Sequence, residues 1–125
     1  MDGKMQRGRL SEEFRQRTKF FASAIIHLYV KLPRNREEVA VIGRQMLRSG
    51  TSVAGQLREA SRARSDNEFV SKLGGALQEA DETQLWLELL REDCRIPAEQ
   101  TLPHESEASE LIAIMTTMIQ RTRHG

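Results

Sequence analysis

The strongest constraint on the fold is a helical spacing of apolar residues that recurs in four segments of the chain. In the first segment these residues follow each other at helical intervals: Phe14, Phe21, Ile25, Leu28 and Leu32. Residues three, four and seven apart share one face of an α-helix. Similar stripes return at about residues 35–63, 65–93 and 104–121. Because amphipathic helices must bury their apolar faces against one another, the sequence predicts an all-α fold.

Capping residues and a proline place the ends of the first two helices. Ser11 is a good N-cap for the first helix, which is expected to run to about Leu32, just before Pro33. Asn35 is the predicted N-cap of the second helix, which is expected to continue to about Ala63.

The third and fourth helices have comparable boundary signals. Ser65 followed by Glu68 matches the S-x-x-E capping box, which predicts a third helix to about Asp93. Residues 96–103 contain two prolines and are predicted to be a loop. The fourth helix is therefore expected from about residue 104 to Arg121.

These four helices predict a single domain, because a chain of 125 residues has the usual size of one. Short connections between long helices favour antiparallel neighbours. We therefore predict a left-handed, up-down-up-down four-helix bundle over residues 11–122. Residues 1–10 contain two glycines and few apolar residues and are predicted to be a flexible tail.

The sequence contains no recognisable catalytic or metal-binding pattern. None of His27, His104 and His124 has a glutamate three residues before it, as the di-iron sites of helical bundles require. Cys94 has no histidine near it in sequence that could act as a base. We predict that the protein is not an enzyme and uses no metal or cofactor.

The composition also predicts where the protein resides. The single cysteine cannot form an internal disulfide, and no apolar stretch approaches the roughly 18 residues of a membrane span. The basic N-terminus is followed by acidic residues and not by the apolar core of a secretion signal. The expected location is the cytoplasm, with no membrane partner.

The charges are segregated although the net charge is only +1. Residues 31–64 hold eight Lys or Arg against three acids, whereas residues 65–110 hold three against twelve. The following arginines, which we name the arginine ridge, fall on one side of the second helix, with the last at its end: Arg44, Arg48, Arg58, Arg62 and Arg64. At 1.5 Å per residue, the four on the helix span roughly 27 Å.

Two interpretations of the arginine ridge remain open. Arginine binds phosphate through two parallel hydrogen bonds, so the ridge predicts a surface that follows the backbone of structured RNA or another nucleic acid. Alternatively, the ridge is a solvated face, or it pairs with acidic residues of the third helix: Glu79, Glu82 and Glu88. In a protein scaffold, such pairs would join subunits or a protein partner.

The first and third helices carry more apolar residues than one small core requires. Large exposed apolar patches usually mark interfaces. We therefore predict a homo-oligomer whose interface contains Phe20, Ile26, Tyr29, Leu85, Trp86 and Leu89. Trp86 could instead cover the end of the bundle.

Several stretches resemble the four-helix bundle proteins encoded in intervening sequences of 23S ribosomal RNA. The resemblance covers about residues 14–121 and rests mainly on Gln45–Gln56, Arg58–Ala60, Arg62–Ser65, Glu68–Phe69, Glu79–Thr83 and Trp86–Leu90. It implies a homopentameric ring without enzymatic activity. These proteins are similar to accessory proteins of diversity-generating retroelements, which bind nucleic acid and a reverse transcriptase through basic surfaces. Those accessory proteins are strongly basic, whereas this chain is nearly neutral.

Overall fold

The computed structural model describes residues 10–125, and within this range it contains four α-helices and no β-strand. They are α1 (Glu12–Lys31), α2 (Glu37–Ser61), α3 (Asp66–Glu92) and α4 (Ala98–His124). Helix α2 packs against α1 and α3, and α3 packs against α4. Helices α1 and α4 are also in contact, but theirs is the smallest of these four contacts. The predicted all-α class is confirmed. The predicted flexibility of residues 1–9 lies outside the described residues.

Serine side chains cap the N-termini of α1 and α3. The Ser11 hydroxyl accepts a hydrogen bond from the backbone N–H of Phe14 at 3.1 Å, and the Ser65 hydroxyl accepts one from Glu68 at 3.0 Å. These bonds satisfy backbone donors that have no partner inside the first turn. Leu10, the last residue of the predicted tail, is buried in the core. Leu10 therefore packs together with the helices.

The starts of the other two helices differ from the prediction. Arg36, not Asn35, is the N-cap of α2, and its side chain makes no capping hydrogen bond. Helix α4 begins at Ala98, so most of the predicted loop at residues 96–103 is helical. Pro103 lies on an exposed surface near the start of α4, where a missing N–H removes only one helical hydrogen bond. The helix also continues to His124, beyond the predicted end.

Apolar side chains from all four helices meet in one core. Its largest fully buried apolar members are Ile25, Val39, Met46, Val53, Leu57, Leu73, Leu87, Leu90, Leu111 and Met115. Each such side chain stabilises the fold by roughly 1.5–3 kcal/mol relative to an exposed position.

The centre of α2 is built from small residues because two helices approach it closely. A Cβ atom added to Gly50 would lie 2.9 Å from Cγ2 of Ile25 in α1. Ser49 is fully buried, and its hydroxyl lies 2.7 Å from the Thr83 hydroxyl in α3. The small side chains at this point therefore allow α1 and α3 to pack closely against α2.

The order of contacts between α2 and α3 shows that these two helices run in opposite directions. Between α2 and α3, Arg48 pairs with Glu82, whereas Glu59, farther along α2, pairs with the earlier residue Lys72. Adjacent α2 and α3 are therefore antiparallel. The left-handed twist and the complete up-down-up-down arrangement stay predictions.

Candidate functional site

The five residues of the arginine ridge are all exposed. Arg44, Arg48 and Arg58 belong to α2, Arg62 is the C-cap of this helix, and Arg64 lies in the connection between α2 and α3. Because buried residues such as Val53 and Leu57 occupy the opposite side of α2, the ridge faces away from the core. Its guanidinium groups are therefore accessible to a ligand.

Arg48 differs from the rest of the arginine ridge because it pairs with α3. Its Nη2 lies 3.3 Å from Oε1 of Glu82, and its Nη1 lies 3.7 Å from Oε1 of Glu79. At this residue the geometry fits the alternative interpretation, an ion-pair seam between α2 and α3. This seam lies within one chain.

The other four arginines of the ridge have no acidic partner in the described part of the chain. Within residues 10–125, Arg44, Arg58, Arg62 and Arg64 form no ion pair with an acidic side chain. Arg44 and Arg62 are 18 residues apart, which corresponds to about 27 Å along α2. The available positive charge thus lies at both ends of the ridge.

At the C-terminal end of α2, the arginine ridge borders a cavity of about 160 Å³ that we name the basic cleft. Arg58 and Arg62 line it from α2, and Arg15 and Lys19 line it from α1. Buried Leu57 is also part of its lining, which places the bottom of the cleft against the core. Arg15 and Lys19 were not predicted as site residues from the sequence.

One carboxylate lies among these cations. Glu12 accepts hydrogen bonds from Arg15 and Gln16, and these two interactions lower the pKa of the Glu12 carboxyl. Lys19, Arg58 and Arg62 have no ion-pair partner within the described part of the chain. The basic cleft therefore combines four cations with one acid, an arrangement that attracts anions.

A second cavity, of about 170 Å³, lies at the other end of the groove between α1 and α2. Its lining includes Arg34, Arg44 and Tyr29. The arginine ridge therefore extends from one basic cavity toward another, and both are formed jointly by α1 and α2 or the loop between them.

The predicted interface residues differ in exposure. Phe20 is 77% exposed, Ile26 42% and Leu85 46%. Tyr29 and Trp86 are partly buried and pack against the core, and Leu89 is also partly buried. The interface role of all six stays a prediction.

Two ion-pair clusters fasten α4 to the rest of the bundle. Arg91 donates to both carboxylate oxygens of Glu105 at 2.9 Å, and this hydrogen bonding lowers the pKa of the Glu105 carboxyl. Arg17 donates to Glu107 and Glu110, which raises the pKa of Arg17. These contacts are structural, since they satisfy the charges within the protein.

Neither the thiol of Cys94 nor the possible metal ligands are arranged for reactivity in the part of the chain that the structure describes. Cys94 is buried, and burial raises the pKa of its thiol, which disfavours the nucleophilic thiolate. Among residues 10–125, no group of three or more His, Cys, Asp or Glu side chains is arranged to hold a metal ion.

None of the helices between residues 10 and 125 combines the length and apolar character needed to cross a bilayer.

Comparison with known proteins places the chain in a family. A search of curated protein sequences finds no match. A solved structure from Bacteroides thetaiotaomicron, described as a protein of unknown function from the S23 ribosomal protein family, is 37% identical with a TM-score of 0.77. The match covers 84% of this chain and 96% of that one. The model of the 23S rRNA-intervening sequence protein family matches residues 12–117. The chain therefore belongs to the 23S rRNA-intervening sequence protein family.

Proposed function

We propose that this protein is a non-catalytic, cytoplasmic binding protein that contacts the phosphate backbone of structured RNA through the arginine ridge. The observation that carries the proposal is the exposure of Arg44, Arg58 and Arg62 without an acidic partner among residues 10–125. Arginine side chains at such positions can donate two parallel hydrogen bonds to a phosphate. A duplex offers phosphates repeatedly along its length, which suits cations spread over about 27 Å.

The surroundings of the arginine ridge favour backbone contacts over base recognition. No aromatic residue lines the basic cleft in the described part of the chain. Unpaired bases usually stack on aromatic side chains, so single-strand recognition is disfavoured at this end.

The proposed functional unit is a homo-oligomer, and the family resemblance suggests a pentamer. Phe20 supports this because 77% of its surface is exposed, and Ile26 and Leu85 add exposed apolar area on other faces. Different apolar faces on one protomer suit a ring, in which each subunit uses two different surfaces.

The alternative function is a protein scaffold in which ridge arginines pair with another subunit or a protein partner. The pairing of Arg48 with Glu79 and Glu82 favours it, because it shows that a ridge arginine can be satisfied by acidic helix residues. In that case charge reversal of the ridge would disrupt assembly and leave RNA binding unaffected.

A salt titration of RNA binding tests the proposed function. We expect Arg58→Gln with Arg62→Gln to weaken binding of a structured RNA and to reduce the slope of log K against log salt by about two, about one per lost phosphate contact. Arg95→Gln is the matched control, because Arg95 is exposed and lies in the connection between α3 and α4. Unchanged affinity and slope in the double variant would contradict RNA binding by the ridge. Light scattering of the same variants tests the scaffold alternative.

A further inference from the structure

We infer that the basic cleft is a binding site for a terminal phosphate, a phosphomonoester at the end of a nucleic-acid strand. The inference rests on the proposed function for the identity of the strand. It goes further by assigning one kind of ligand to the end of the ridge where Arg58 and Arg62 share a cavity with Arg15 and Lys19 of α1.

The shape of the basic cleft suits a group that enters it. Arg15 and Lys19 on α1 face a shared cavity with Arg58 and Arg62 on α2. Its volume of about 160 Å³ is far above the roughly 10–15 Å³ that one water molecule needs. The cleft therefore has room for a phosphate with part of its sugar.

The charge of the basic cleft also favours a phosphomonoester. The Arg15 charge is compensated by Glu12, but Lys19, Arg58 and Arg62 have no acidic partner among residues 10–125. A phosphomonoester has a second pKa near 6 and carries about −1.5 to −2 charges at neutral pH, whereas an internal phosphodiester carries one. Three uncompensated cations around one cavity therefore stabilise the terminal group more than the internal one.

Two residues allow the cleft and the ridge to be tested separately. Lys19 lines the basic cleft but does not belong to the arginine ridge, which lies on α2. Arg44 belongs to the ridge but lies at the other end of α2, where it lines the second cavity. Both side chains are exposed, so replacement by glutamine is expected to leave the fold intact.

The experiment measures the affinity of one RNA hairpin with a short single-stranded end, prepared with a 5′-phosphate, a 3′-phosphate or hydroxyls at both ends. We expect one phosphorylated form to bind about tenfold more tightly than the hydroxyl form, since charge-assisted contacts are strong. Lys19→Gln should remove this difference. Arg44→Gln should weaken all three forms alike and preserve it.

The outcomes distinguish the inference from the proposed function. Equal affinities of the three forms would overturn the phosphate site and leave RNA binding by the ridge intact. A difference that persists in Lys19→Gln would also overturn it. If no RNA form binds, the proposed function fails and the terminal-phosphate assignment fails with it. In that case the Tm is measured with and without inorganic phosphate. A rise in Tm that Lys19→Gln abolishes would show that the cleft still binds anions.

Discussion

The hydroxyl oxygens of Ser49 and Thr83 lie 2.7 Å apart in a fully buried contact between α2 and α3. The Thr83 hydroxyl has a backbone acceptor, the oxygen of Glu79, also at 2.7 Å. Ser49 likewise has a backbone acceptor, the oxygen of Met46 at 3.3 Å, so either hydroxyl can be the donor in the bond between the two helices. A polar bridge of this kind satisfies both hydroxyls in a core that water does not reach.

We expect Ser49→Ala to reduce the free energy of unfolding by about 1 kcal/mol, the usual net contribution of one hydrogen bond. Thr83→Val should have a similar effect, because it removes the other hydroxyl of the same hydrogen bond. The double variant should lose less than the sum of the two, since both single changes break the same bond. Urea unfolding measures all three values, and strict additivity would contradict the assigned bond.

Gly50 and Gly55 should respond oppositely to the same substitution. A Cβ atom at Gly50 would lie 2.9–3.2 Å from Cγ2, Cγ1 and Cβ of Ile25, whereas a Cβ at Gly55 would meet nothing within 4 Å. Ile25 is buried and branched at Cβ, so it cannot move aside easily. We expect Gly50→Ala to destabilise by about 1–3 kcal/mol through overpacking, and Gly55→Ala to stabilise by about 0.5–1 kcal/mol through helix propensity. Denaturant midpoints of the two variants provide the comparison, and a stabilising Gly50→Ala would disprove the close contact.

The Arg91–Glu105 pair predicts a specific dependence of stability on pH. Because the pKa of Glu105 is lowered in the folded protein, its contribution is fully present above the ordinary value of 4.5. It is lost as the pH falls through the lower, folded-state pKa. We expect Glu105→Gln to be less stable than the parent at pH 7 but to approach it at pH 3. Glu92→Gln, at an exposed acid 3.5 Å from Arg91, is the control and should give a profile close to the parent's.

Arg95 adopts a left-handed backbone conformation, with φ at 62°, in the connection between α3 and α4. The next residue, Ile96, donates its backbone N–H to the oxygen of Leu90 at 2.9 Å and is buried. A side chain in this conformation costs about 1 kcal/mol, which glycine avoids. We expect Arg95→Gly to raise the free energy of unfolding by up to about 1 kcal/mol, whereas Arg95→Ala, which keeps Cβ, should not. Thermal unfolding of the two variants checks this difference.

Local signals in the sequence were sufficient for much of the fold. Ser11 and Ser65 were recognised as caps because the bonds they accept come from residues only three positions away. The start of α4 was predicted wrongly because Pro97 and Pro103 suggest a loop, while the compensating contact, from Arg91 to Glu105, joins two different helices. A contact between two helices cannot be recognised from the sequence of residues 96–103 alone.

The same distinction applies to the candidate site. The arginine ridge follows from the angular spacing of residues within α2, so it could be predicted from sequence. The basic cleft could not, because it depends on which residues of α1 lie beside Arg58 and Arg62. Arg15 and Lys19 are four residues apart and therefore share one face of α1. This spacing indicates the basic cleft only if that face of α1 is known to lie beside the end of α2.

The weak contact between α1 and α4 has a consequence for the order of folding. Most helix contacts join neighbours in sequence, whereas the Arg17–Glu107 bonds span 90 residues and the Arg17–Glu110 bond spans 93. Closing so long a loop carries the highest entropic cost, and partly exposed ion pairs of Arg17 offset part of it. The hairpins of successive helices can therefore form early, with α1 joining α4 last. Added salt, which screens those charges, should slow this final step more than the earlier ones.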